Sequence, residues 1–112
     1  MKTFNNESSN TNTIMVTVKR KGDYWYEGSC GEYKFRALVF DNNIACSIAE
    51  GRVNKLNVWR KTHTCNKPTF EDVADFYHGW NLIPKTEHEK RIVATIHWCL
   101  ERLPLVDNED ES

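Results

Sequence analysis

The side chains in this chain best suited to chemistry are four cysteines, Cys30, Cys46, Cys65 and Cys99, and four histidines, His63, His78, His88 and His97. Thiolate and imidazole are the preferred ligands of zinc, so the count invites a structural metal site. The spacing argues against one. There is no C-x-x-C pair and no H-x3-H pair; only His63-Thr64-Cys65 and His97-Trp98-Cys99 set a histidine close to a cysteine. Residues two apart on a strand point the same way, so His63 and Cys65 suit one ion, whereas a helix turns His97 and Cys99 roughly 200° apart. The expectation is no bound metal and no cofactor, with Cys30 and Cys99 acting as small buried hydrophobes and Cys46 and Cys65 near loops. No motif supports a Cys–His nucleophile, and P-loop, G-x-G-x-x-G and H-E-x-x-H patterns are missing. Glu71-Asp72 falls in a polar stretch that solvates it. The expected class is not an enzyme.

A second constellation is a surface. The run Thr13 to Lys19 alternates Ile14, Val16 and Val18 with Met15 and Thr17, a period of two that reads as a strand. Lys21-Gly22-Asp23 is a turn signal; strands at Tyr24 to Cys30 and Tyr33 to Phe40 follow, joined at Gly31-Glu32 as a hairpin. Asp41-Asn42-Asn43 closes the third strand, and Asn54 to Arg60 reads as the next. Residues 61–72, with Pro68, read as an irregular excursion, and Val73 to Tyr77 as a short returning edge strand. If Tyr24, Tyr26, Tyr33, Phe35, Leu56 and Val58 form the core face, alternation puts Trp25, Glu27, Lys34, Arg36, Lys55, Asn57 and Trp59 on the other. Trp and Arg are enriched at protein-binding hot spots. The same side chains could stack bases and hold phosphates, with Lys34 and Lys55 on the backbone, or simply pair across strands under Lys and Arg stems.

One helix is signposted. Thr86 and Glu89 form a capping-box pattern just after Pro84; Ile92, Val93, Ile96, Cys99, Leu100 and Leu103 recur at helical spacing until Pro104. That predicts an amphipathic helix of about 17 residues, long enough to cross a small sheet. Lys90, Arg91, His97 and Glu101 fall on its polar side, and Trp80 and Trp98 are placed at the core or its rim. The fold class is α+β, an antiparallel four- or five-stranded meander with one C-terminal amphipathic helix packed on one face.

The 112 residues, 39% hydrophobic and 28% charged, suit one domain with a modest core. Fifteen bases against sixteen acids exclude both an acidic nucleic-acid mimic and a strongly basic coat protein. The charge is unevenly spread: residues 13–106 hold 14 bases and 11 acids, and the end after Val106 carries four acids and no base. Residues 1–12 and 107–112 are expected to be disordered, flanking a single domain at 13–106. No apolar run suits a membrane span and no h-region opens the chain, so a cytoplasmic setting with reduced cysteines is expected. The cluster Lys19-Arg20-Lys21 reads as a solvated strand end.

Tyr26-Glu27-Gly28, Gly31-Glu32-Tyr33-Lys34-Phe35, Gly51-Arg52-Val53-Asn54-Lys55-Leu56, Gly79-Trp80 and Pro84-Lys85-Thr86 follow one another in order. Together they resemble a family of small uncharacterised proteins, a domain of unknown function, found in bacteria, phages and other mobile elements. The resemblance covers roughly residues 24–103. The stretch 61–72 is longer than the family pattern, and the N-terminal extension is outside it. The resemblance implies a mobile-element setting and transfers no site residues. The functional expectation is a non-catalytic protein-interaction module, acting on a host or defence protein or on a second copy as a homodimer. Its contact surface is the face of Trp25, Lys34, Arg36, Lys55 and Trp59. The alternative is single-stranded nucleic-acid binding by the same face.

Overall fold

A computed structural model of the protein describes residues 2–7, 13–64 and 67–105. It is α+β: one antiparallel sheet and one C-terminal helix. The strands are β1 (Lys2–Glu7), β2 (Thr13–Arg20), β3 (Trp25–Cys30), β4 (Tyr33–Val39), β5 (Val53–Thr64), β6 (Lys67–Tyr77) and β7 (Trp80–Leu82), followed by helix α1 (Glu87–Leu100). Among the described residues each strand pairs only with its neighbours in sequence, giving one seven-stranded sheet in the order β1 to β7. The sheet is thus wider than the four or five strands expected. The first addition is β1, which pairs with β2 from Lys2↔Val18 to Glu7↔Thr13 where disorder was expected. It joins through backbone pairing with β2, and its polar sequence carries no period-two signal. Residues 8–12 and 107–112, also expected to be disordered, lie outside the described residues.

The core face follows from alternation. Along β4, Tyr33, Phe35, Ala37 and Val39 are buried while Lys34 and Arg36 are exposed. Val16 and Val18 of β2, Tyr26 and Cys30 of β3, Leu56 and Val58 of β5, and Ala74 and Phe76 of β6 share the buried side. Gly28 sits where a methyl group would run into the Thr17 carbonyl oxygen and the Phe35 ring, so β2, β3 and the Phe35 ring pack closely because that position has no side chain. Gly31 turns the β3–β4 hairpin at φ +61°.

The stretch 61–72 is no irregular excursion: Lys61↔Phe70 to Thr64↔Lys67 continue the β5–β6 pairing. β4 stops pairing at Tyr33↔Arg60, so the end of the hairpin projects as a two-stranded ribbon beyond it. Val73 to Tyr77 is the buried end of this long strand, and the sheet's edge is β7. A bulge at Val58/Trp59 shifts the register, pairing Val58 with Ala74 and Trp59 with Asp72.

Helix α1 begins as its sequence dictates. The Thr86 hydroxyl accepts from the Glu89 amide at 3.0 Å, while the Glu89 carboxylate accepts from the Thr86 amide. Ile92, Val93, Ile96, Cys99 and Leu100 are buried against the sheet. The helix ends at Leu100, earlier than the run to Leu103 suggested, and Leu103 is buried in the turn that follows. What ends it is a polar clamp. Both Glu101 carboxylate oxygens accept from the Arg52 amide at 3.0 Å, one also accepts from the Val53 amide, and His97 Nε2 lies 3.0 Å away. The Arg52 guanidinium donates to the carbonyls of Phe40, Glu101 and Leu103. His97 and Glu101, expected on the solvated side, thus tie the helix end to the start of β5. Trp80 and Trp98 are 43% and 42% exposed, further out than a core position; the Arg102 guanidinium lies 3.9 Å from the Trp98 ring centre.

Candidate interaction face

The helix covers one side of the sheet. The other side carries the side chains singled out by alternation, and the register arranges them in cross-strand rows. Trp25, Leu38, Lys55 and Tyr77 form one row across β3 to β6. Lys19, Glu27, Arg36, Asn57 and Asp75 form the next across β2 to β6. Thr17, Ser29, Lys34, Trp59 and Asp72 form the third. Trp25 and Trp59 are therefore two strands and two rows apart, about 16 Å from strand spacing and rise. Arg36 lies between them.

The rows are partly self-satisfied. Arg36 holds Glu27 at 3.0 Å with 59% of its side chain in solvent, an exposed pair that contributes little to stability. Lys55 Nζ sits 5.0 Å from the centre of the Tyr77 ring, and Asn57 donates to the Ala74 carbonyl. Two shallow hollows flank Arg36. One of about 370 Å³ is lined by Lys21, Gly22, Trp25, Glu27 and Arg36. The other, about 340 Å³, is lined by Arg36, Asn57, Trp59, Phe70 and Asp72. Trp25 is 37% exposed, Tyr77 50% and Phe70 66%, which is a large aromatic area to leave in water.

Phe70, Asp72, Asp75 and Tyr77 belong to this face and were not anticipated. Strict alternation back from the buried Phe76 would turn Asp72 and Phe70 toward the core, and the extra residue at the bulge reverses them. The only signal available in sequence was that an exposed Phe in so polar a stretch has no core to enter.

The sulfur and imidazole groups are scattered. Cys30 and Cys99 are buried, and Cys46 is exposed. Burial pushes the Cys30 thiol up, and burial, with Cys30 nearby, pushes Cys99 up to about 11, with Arg102 opposing. Both stay protonated near neutral pH, opposite to what a nucleophile or metal ligand requires. Cys65, with the proposed His63–Cys65 couple, lies outside the described residues. Among those described, no three of His, Cys, Asp and Glu converge as a metal site would require. His88 packs near Tyr33, His78 against Tyr77, and His97 on Glu101. Among the described residues no helix is long and apolar enough to cross a membrane.

Fold and surface together define a small α+β domain: an antiparallel meander capped on one side by a helix and open, with solvated aromatics, on the other. The chain belongs to the family described as a domain of unknown function (DUF7678), whose model matches residues 24–101. The match agrees with the resemblance placed on residues 24–103 and begins just before β3. No match was found among curated proteins or among solved structures.

Proposed function

We propose that the chain is a non-catalytic protein-interaction module that binds through the open sheet face of Trp25, Lys34, Arg36, Lys55 and Trp59. The observation that carries this reading is that two hollows bordered by Trp25 and Trp59 meet at Arg36 on a face that no other element among the described residues covers. Trp and Arg in partly desolvated hollows are the residues that dominate protein contacts. Glu27, Asp72 and Asp75 are interleaved with the bases, which favours a protein over a nucleic-acid backbone, since a phosphate track would meet three carboxylates. The partner is a host or defence protein, or the chain itself. The cytoplasm and a phage or mobile-element setting complete the proposal, the latter resting on the motif resemblance alone.

The test is a tagged pull-down with and without nuclease, comparing the native chain with Trp25→Ala/Trp59→Ala. A protein retained after nuclease and moderate salt, and lost in the folded double variant, is the expected result. Recovery of nucleic acid that falls steeply with salt would replace this reading with single-strand binding.

A further inference from the structure

We propose that the open face carries a binding site for a single phosphomonoester group, in a third hollow between Lys19 and Lys34. This hollow, of about 270 Å³, lies across β2, β3 and β4 and is lined in part by Thr17, Lys19, Glu27, Ser29 and Lys34. It borders the surface proposed for protein contact, shares Lys34 with it and needs neither Trp25 nor Trp59. Register sets its geometry. Thr17, Ser29 and Lys34 stand side by side in one cross-strand row, with Lys19 and Glu27 in the row beside it. Lys19 and Lys34 are thus two strands and one row apart, about 12 Å between Cα atoms. Two extended lysine side chains can reach across that gap to one small ion. Beside them the hydroxyls of Thr17 and Ser29 lie 2.8 Å apart. One donates to the other, so the accepting hydroxyl keeps its own proton to give to a ligand.

Charge defines the ligand. Neither Lys19 nor Lys34 has an ion pair among the described residues. Glu27 stands directly across from Lys19, but Arg36 Nε and Nη2 both donate to one of its carboxylate oxygens, at 3.2 and 3.0 Å. Three cations and one carboxylate leave a surplus of positive charge at the hollow. A phosphomonoester near neutral pH carries a charge of about −1.5 to −2 and three acceptor oxygens, matching two ammonium groups and a hydroxyl. A carboxylate brings about half that charge. A nucleic-acid strand brings a succession of diesters, and one laid across the sheet would meet Asp72 and Asp75 on β6. The site therefore suits one isolated dianion better than a chain of monoanions.

The test is an NMR titration of the isotope-labelled full chain at constant ionic strength. The probes are inorganic phosphate, a short phosphoserine peptide with its unphosphorylated twin, and a short oligothymidylate. The expected result is saturable shifts of the Thr17, Lys19, Ser29 and Lys34 signals with phosphate. Lys19→Gln and Lys34→Gln should each weaken that binding at least about fivefold, while Lys61→Gln, at an exposed position on the ribbon, should leave it unchanged. Thermal melts confirm that each variant folds. Tighter binding of the phosphopeptide than of phosphate, with none of its unphosphorylated twin, assigns the group to a phosphorylated side chain; equal or weaker binding assigns it to a small free phosphate. Shifts that do not saturate, or that Lys61→Gln reduces as much as the other two, overturn the site, because surface lysines in general then attract the anion. Tighter binding of the oligothymidylate overturns the phosphomonoester in favour of a nucleic-acid strand. No arm involves the two Trp, so the protein contact stands or falls separately by its pull-down.

Discussion

Cys99 shows how one buried atom sets a pH response. Its thiol titrates near 9 when exposed and about 11 in the fold, chiefly because burial disfavours the thiolate. Between those values the unfolded chain has lost a proton that the folded chain keeps, so stability falls as pH rises from about 9 to about 11. Chemical denaturation across that range should show the decline, shallower in Cys99→Ala after allowing for its cavity. The same burial makes Cys30 and Cys99 slow toward a thiol reagent in the native state and Cys46 fast, which peptide mapping after a short pulse should reveal. A second residue-scale feature is a turn: Ala49 and Glu50 have φ of 51° and 55°, with the Gly51 amide donating to the Ile48 carbonyl. Two successive positive φ values suit Asn-Gly and strain Ala and Glu. Ala49→Asn/Glu50→Gly should stabilise the fold by about 1 kcal/mol, read as a melting temperature several degrees higher.

Among the elements, the helix and β5 depend on each other through Glu101. Its carboxylate accepts from the Arg52 and Val53 amides, and it packs on Gly51, where a methyl group would collide with it. Glu101→Ala should cost about 2–4 kcal/mol, because two inward amides lose their acceptor, whereas Glu101→Gln should cost less; urea denaturation separates the two. This clamp was illegible in the sequence, since its partners are 49 residues apart and no periodicity links them. Other elements were legible for clear reasons. β4 reads directly because every second residue is apolar and one of its faces is covered. The capping box places the start of α1 because Thr86 and Glu89 act locally. The five proposed contact residues, Trp25, Lys34, Arg36, Lys55 and Trp59, follow from the same parity. Parity fails for β6, where the ribbon has neither face covered and a bulge reverses Phe70 and Asp72. It fails for β1, which is held through backbone pairing.

For the whole molecule, the unit that folds is larger than the unit the family defines. Val16 and Val18 of β2 are 0% and 1% exposed and lie with α1 in the core, yet both precede the matched residues 24–101. A chain beginning at Tyr24 should lose the cover over Tyr26 and Cys30, bare the edge of β3 and either melt well below the native chain or aggregate. Light scattering and calorimetry would show which. The strand order has a further, kinetic consequence. Because every strand pairs with its immediate neighbour, the sheet closes through connections that are short except for residues 40–52 between β4 and β5, and that local topology favours rapid assembly. The helix must instead return from the far end of the chain to reach β2, a large loop-closure cost that defers its docking. Ile96→Ala should therefore destabilise by about 2–4 kcal/mol mainly by speeding unfolding, with a φ-value below about 0.3 in a stopped-flow chevron. A slowed folding arm would instead put the helix in the nucleus, and the meander would need it from the outset.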